Sequence, residues 1–141
     1  MKNIEILNNK KNNYFLSIGG IGEIGGNNYL YSFEGEQVIV DAGISFADDS
    51  LPGVDITIPD PYIFLNNTIK PKAMILTHAH EDHVGALEYY FDKIDFPIYC
   101  NKFTFSYIKH KFKKIHNFKK KFIIIKNNEI VKFNNFSFQL I

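Results

Sequence analysis

Eleven consecutive residues constrain this chain more than any other stretch: Thr77-His78-Ala79-His80-Glu81-Asp82-His83-Val84-Gly85-Ala86-Leu87. Ala73-Met74-Ile75-Leu76-Thr77 reads as a short buried strand leading into them. After them Val84, Leu87, Phe91 and Ile94 recur at helical spacing and predict one amphipathic helix. The ligand-type side chains therefore fall where a strand ends and a helix begins. On an extended segment His78 and His80 point to the same side. Asp82 and His83 belong to the first helical turn, so two imidazoles, a carboxylate and a third imidazole converge on one small volume.

Nitrogen and oxygen donors of this kind suit borderline divalent cations, zinc first, with manganese or iron as alternatives. The competing reading is a solvated histidine-rich loop; four ligand-type residues between positions 78 and 83 favour the metal. A further carboxylate, Asp41, ends the predicted strand Gln37-Val38-Ile39-Val40, just before Gly43. It either accepts a hydrogen bond from a ligand imidazole and fixes its tautomer, or is an ordinary turn aspartate.

The glycine stretch Gly19-Gly20-Ile21-Gly22-Glu23-Ile24-Gly25-Gly26 contains G-x-G-x-x-G after a predicted strand, Tyr14–Ile18. In a dinucleotide site that pattern opens a helix, whose amino terminus carries the pyrophosphate. Here Asn28-Tyr29-Leu30-Tyr31-Ser32-Phe33 reads as a second strand, with a hairpin turn at Glu34-Gly35-Glu36. The glycines predict a tight loop that lets backbone lie close to the histidine cluster, with no nucleotide cofactor.

Residues 44–70 form a long acidic connection with Tyr62-Ile63-Phe64-Leu65 as a helical turn. Beyond the motif, Pro97-Ile98-Tyr99-Cys100 predicts a short parallel strand. Phe105, Ile108, Phe112 and Ile115 predict a half-buried helix, with Lys109, Lys111, Lys113 and Lys114 mostly opposite. His110 and His116 flank that face as surface residues. Three further strands are expected at residues 122–125, 129–133 and 136–140, with turns at Asn127-Asn128 and Asn134-Asn135. The single cysteine, Cys100, reads as a buried structural thiol.

With 141 residues and 45% hydrophobic content the chain suffices for one domain with a real core. Residues 1–13, rich in Asn and Lys, read as a flexible lead-in, and 14–141 as the folded part. All 16 cationic residues are lysines. Residues 1–101 carry 6 Lys against 14 acidic residues, and residues 102–141 carry 10 Lys against Glu129 alone. The basic Lys102–Lys132 region is either a solvated helix face or a nucleic-acid-facing surface. No apolar run has the length of a membrane span or signal core, which predicts a soluble cytoplasmic protein without membrane contact.

His78-x-His80-x-Asp82-His83 resembles the HxHxDH signature of the metallo-β-lactamase superfamily. Leu16–Asn28, Val40-Asp41-Ala42-Gly43, Gly53-Val54-Asp55 and Ile58-Pro59-Asp60 narrow the resemblance to ribonuclease J, of the superfamily's β-CASP branch, from about Phe15 to about Lys113. The resemblance implies an α/β fold, the amino-terminal half of an αβ/βα sandwich: a mixed sheet with helices on one face and an apolar, exposed second face. It implies His78 and His80 as ligands of one metal ion, Asp82 and His83 as ligands of a second, and Asp41 as their support. Two zinc ions are expected, manganese being the alternative. Glu81 occupies the variable position and receives no role.

The family is several times longer than this chain, and its third metal histidine, bridging aspartate and β-CASP domain lie beyond the matched region. The resemblance therefore implies part of a two-metal hydrolase that cleaves RNA phosphodiesters, incomplete by itself. Its partners would be RNA and either a separately encoded carboxy-terminal half or further copies of the chain. Two other readings stay open: a non-catalytic RNA- or partner-binding remnant using residues 102–132, and a small-substrate hydrolase of the same superfamily.

Overall fold

The first three strands set the architecture. In a computed structural model, which describes residues 12–65, 69–112 and 121–141, Tyr14–Gly19 (β1), Asn28–Phe33 (β2) and Glu36–Val40 (β3) form an antiparallel meander. Two-residue strands Ser45–Phe46 (β4) and Ile56–Thr57 (β5) pair with each other inside the long acidic connection, a ladder too short to leave a sequence signal. The helical turn Tyr62–Leu65 (α1) follows. Ala73–Ile75 (β6) then lies parallel to β3. The motif supplies Glu81–Val84 (α2) and Leu87–Tyr90 (α3), which runs into a 3₁₀ turn at Phe91–Lys93. Ile98–Asn101 (β7), helix Lys102–Lys111 (α4) and Phe122–Ile125 (β8) come next, followed by the hairpin Ile130–Lys132 (β9) and Ser137–Gln139 (β10).

Strand order in the main sheet is β1-β2-β3-β6-β7-β8, antiparallel over the first three and parallel from β3 onward. The sheet is therefore mixed, as expected. Leu30, Ile39, Met74, Ile98 and Cys100 face one side, where they pack with Val84, Leu87, Tyr90, Phe91, Ile108 and Phe112 of the helical segments. Val38, Ile75 and Ile125 face the other side and pack with Leu140, Val131, Phe133 and Phe138. All helices in the two cores lie on the first side.

The second face is less bare than expected. The hairpin β9–β10 covers it near β7, where Tyr99 meets Phe133 and Phe138 edge-on. Glu36 anchors that hairpin by accepting hydrogen bonds from Asn134 Nδ2 and the Asn135 amide. Toward the β1 edge the face stays open: Phe15, Tyr31 and Phe33 are exposed. Among the described residues, apolar exposure on this face thus persists on β1 and β2, and at Ile123 on the β8 edge.

The motif helix is also not continuous. Ala86 N–H donates to Ala42 O instead of closing the next helical turn, and Asp82 O is already taken by Asn27 N–H. His83 O likewise accepts from Ala42 N–H. The loop after β3 thus captures the groups that the α-helical ladder would use, splitting the helix into α2 and α3. The buried face survives the break, since Val84, Leu87, Phe91 and Ile94 are all buried. Ile115, His116, Lys113 and Lys114 and nearly all of the lead-in lie outside the described residues; His110 is exposed.

Two outcomes test this packing. A Cβ at Gly43 would stand 1.6 Å from Asp82 O, so Gly43→Ala forces the two loops apart. Chemical denaturation of G43A should show a loss of about 3 kcal/mol, the upper part of the overpacking range. Burial pushes the Cys100 thiol up to about 12. Cys100 should resist iodoacetamide in the folded protein at pH 8 and react within minutes once denaturant is added.

Candidate metal centre

Three loops meet at one end of the sheet, and backbone hydrogen bonds join them before any side chain is considered. Asn27, following the glycine stretch, donates its N–H to Asp82 O and accepts from Gly43 N–H with its own carbonyl. Ile44 N–H donates to Glu81 O, and Asp41 N–H to Ile75 O. The glycine loop reaches this position through left-handed backbone at Gly20, Gly22, Gly25 and Gly26, with φ between 63° and 88°. Strand β2, not a helix, follows it. The glycines serve close backbone approach, as their pattern predicted.

Asp41 is the hub of the side chains. Its backbone is left-handed, φ 64°, a conformation that costs a non-glycine residue about 1–2 kcal/mol and that Asp tolerates better than most. The side chain is almost wholly buried. Oδ1 accepts from Thr77 N–H at 2.8 Å, and the Thr77 hydroxyl lies 2.9 and 3.0 Å from the two carboxylate oxygens. Oδ2 also accepts from His83 Nδ1–H at 2.8 Å. A carboxylate only accepts, so His83 carries its proton on Nδ1 and presents Nε2 as a lone pair. Since the Thr77 hydroxyl gives its proton to Asp41, His78 Nδ1–H donates to Thr77 Oγ1 at 2.9 Å, leaving His78 Nε2 free as well.

The three rings cluster. His78 and His80 centroids are 4.6 Å apart, and those of His78 and His83 are 4.0 Å apart. His80 stands in extended backbone as the N-cap of α2, so the strand-to-helix change places His78 and His80 side by side and turns Asp82 and His83 in from the helix. Asp82 Oδ2 and His83 Nε2 are 3.4 Å apart. Two donors about 2.05 Å from one tetrahedral ion are about 3.3 Å from each other, so this pair already has the bite of a divalent-metal chelate. The donor chemistry and this spacing fit such an ion. Among the described residues, however, no group of three or more His, Cys, Asp or Glu side chains is set to hold a metal. The preformed unit is a pair.

Two residues that sequence reasoning left without a role belong here. Thr77 links Asp41 to His78, as described. Asn27 places Nδ2 3.0 Å from Asp82 O, 3.2 Å from Asp82 Oδ2 and 3.2 Å from His83 Nε2. Neither could be found from spacing alone, because the contacts of Asn27 span 55 and 56 residues of chain. Glu81 also gains a role: its carboxylate accepts from Tyr107 and pairs with Lys111, docking α4 against α2. Lys111 is held above the usual lysine range chiefly by that contact.

Against these observations the comparisons with known proteins are unambiguous. The family model described as the metallo-beta-lactamase superfamily matches residues 21–138. The chain belongs to that superfamily. Within it the sequence is ribonuclease J-like: it is 37% identical over 121 residues to Ribonuclease J 2 of Staphylococcus aureus, covering 85% of this chain. It is 36% identical over 124 residues, 87% of the chain, to Ribonuclease J 2 of Staphylococcus saprophyticus. The chain spans about a fifth of these relatives' length, 22% in each case. Among solved structures, a flavoprotein of Thermotoga maritima matches with a TM-score of 0.53 and 20% identity over 80% of this chain and 26% of its own. A protein of unknown function from Enterococcus faecalis matches at 0.52 and 20%, covering 85% of this chain and 35% of its own. These likenesses concern the fold. No helix among the described residues is long and apolar enough to cross a membrane.

Two of the rings, half-buried His78 and His83, are shifted in opposite directions. The hydrogen bond to Asp41 holds His83 above the usual histidine value, against its burial. Burial first, and then the neighbouring His83 and His80, press His78 below it. Asn27 opposes protonation of His83, since an Nε2–H would meet its NH₂. The stabilisation shared by His83 and Asp41 is complete below the unfolded value, about 6.5, and is lost as pH rises through the elevated folded value. His78 contributes with the other sign, destabilising the fold as pH falls below about 6.5. Imidazole NMR titration of the metal-free protein should place the His83 midpoint above that of His78, and Asp41→Asn should bring the two together.

Proposed function

We propose that this chain forms part of the catalytic domain of a two-ion hydrolase acting on RNA phosphodiesters. The observation that carries the reading is the Asp82–His83 pair at chelate spacing, with Asp41 fixing the tautomer that exposes Nε2. In this reading His78 and His80 hold one divalent ion, and Asp82 and His83 the second, zinc being preferred by the imidazole-rich set and manganese the alternative. Bound ions would supply Lewis-acid activation of water and charge compensation at the scissile phosphate.

The chain's own residues do the positioning. Asp41 orients His83 and raises its basicity toward the ion. Thr77 does the same for His78 from the other side of that carboxylate. The similarity to Ribonuclease J 2 supports RNA as the substrate class. With two ligands per ion the set is short of the three that a catalytic zinc keeps. The remaining ligands are proposed to come from a carboxy-terminal half, covalent or separately encoded, or from another copy. The open apolar strip of Phe15, Tyr31 and Phe33 on β1 and β2 supports such a partner.

Calorimetric titration with zinc and manganese, on wild type and His78→Ala, tests the reading, with cleavage of a 5′-monophosphorylated RNA measured alongside. The chain alone should bind at micromolar strength or weaker, lose at least tenfold affinity in the variant, and turn over little RNA. Tight binding that survives His78→Ala would refute the ligand assignment. RNA binding that weakens with salt and ignores chelators, without cleavage, would point instead to the lysine-rich 102–132 region.

A further inference from the structure

Asp82 Oδ2 and His83 Nε2 pose a problem when no ion lies between them. Both present lone pairs, one of them anionic, at 3.4 Å. Such a pair repels itself unless something of positive polarity bridges it. The amide of Asn27 is placed to do this. Its orientation follows from its neighbours: Asp82 O and Asp82 Oδ2 accept only, so the atom facing them is the NH₂. The same NH₂ then faces His83 Nε2 at 3.2 Å. On the opposite side Tyr29 donates its hydroxyl to Asn27 Oδ1 at 2.7 Å, a contact that also favours this orientation. The Asn27 backbone is pinned at both ends, by Asp82 O and Gly43 N–H, so the amide has little freedom to drift.

We propose that Asn27 is the positioning residue of the second donor pair, holding Asp82 and His83 at chelating distance in the metal-free protein and giving way when a divalent ion enters. This rests on the assignment of Asp82 and His83 as ligands, and it adds a residue that neither the histidine motif nor the glycine pattern marks. The exchange is chemically simple. Two N–H···lone-pair contacts are replaced by two metal–donor bonds, while the Asn27 Oδ1 contact to Tyr29 and both backbone bonds persist.

The test uses the full chain. In metal-free protein, the Asn27 side-chain NH₂ signals in ¹⁵N–¹H spectra should be shifted from the free-amide position and should move in Asp82→Ala. Stepwise addition of Zn²⁺ should perturb them in step with the imidazole signals of His83. Calorimetry with Zn²⁺ should show about tenfold tighter binding for a folded Asn27→Ala, because the contacts of Asn27 to Asp82 Oδ2 and His83 Nε2 are made only in the metal-free protein and must be given up when the ion enters. Asn27→Asp, which puts a carboxylate oxygen where the NH₂ was, should bind at least as tightly as wild type. Melting temperatures report separately on folding, and Tyr29→Phe provides a milder variant in which only the amide's orientation is loosened; it should raise Zn²⁺ affinity less than Asn27→Ala. Unchanged Zn²⁺ affinity in a folded Asn27→Ala, or NH₂ signals indifferent to Asp82→Ala, would overturn the proposal. If wild type takes up no Zn²⁺, the ligand assignment fails, while the metal-free spectra still decide whether Asn27 bridges the pair.

Discussion

The carboxylate of Asp41 is the interaction on which the rest depends. It ties the end of β3 to the end of β6 through the Thr77 amide and hydroxyl, and both to α2 through His83 Nδ1. A buried carboxylate without partners would be expensive, and here every partner is itself part of the cluster. Satisfying the charge and orienting the imidazoles are therefore one event. The left-handed backbone at Asp41 fits this account, because strain of that kind persists only where the surrounding contacts overdetermine the position.

A second constraint is the exchange of backbone bonds around Gly43. The motif segment gives up part of its helical ladder so that Asp82 O and His83 O can accept from Asn27 and Ala42, and Ala86 can donate back to Ala42. Each lost intrahelical bond is replaced by one that crosses between loops, so little hydrogen bonding is forfeited while geometry is gained. Only a residue without a Cβ fits where Gly43 meets Asp82 O. The short α2 thus owes its position to neighbours far away in sequence rather than to helix propensity, which a four-residue segment could not supply.

The sheet's two faces are treated unequally. The helical side is a closed core with Tyr90, Leu87 and Ile98 buried. The other side is sealed by β9–β10 over β7 and left open over β1 and β2, where Phe15 packs against Tyr29 and Tyr31 but not beneath another layer. The histidine cluster sits at the end of the sheet, on loops leaving β1, β3 and β6. Rigid strands thereby hold chemistry that lies on loops.

Local pattern determined a good deal. Apolar and aromatic runs set off by the glycine stretch and the turn at Glu34-Gly35-Glu36 located β1, β2 and β3, the run at 73–75 located β6, and helical spacing identified the buried face of the motif segment correctly. The His78–His83 string and Asp41 were legible because a strand-to-helix junction projects its residues in known directions, and the structure brings all three imidazoles, Asp82 and Asp41 together. What the sequence could not disclose were features made by long-range contact. The break at Gly85–Ala86 arises because carbonyls are claimed by another loop. The tiny β4–β5 ladder has too few residues to show a period. Glu81 turns toward Tyr107 and Lys111, and Asn27 reaches across 55 residues to Asp82. Sequence spacing fixes which side chains can share a face within one element. Which groups of different elements meet, and so which tautomer and which chelate distance result, is decided only when the loops pack.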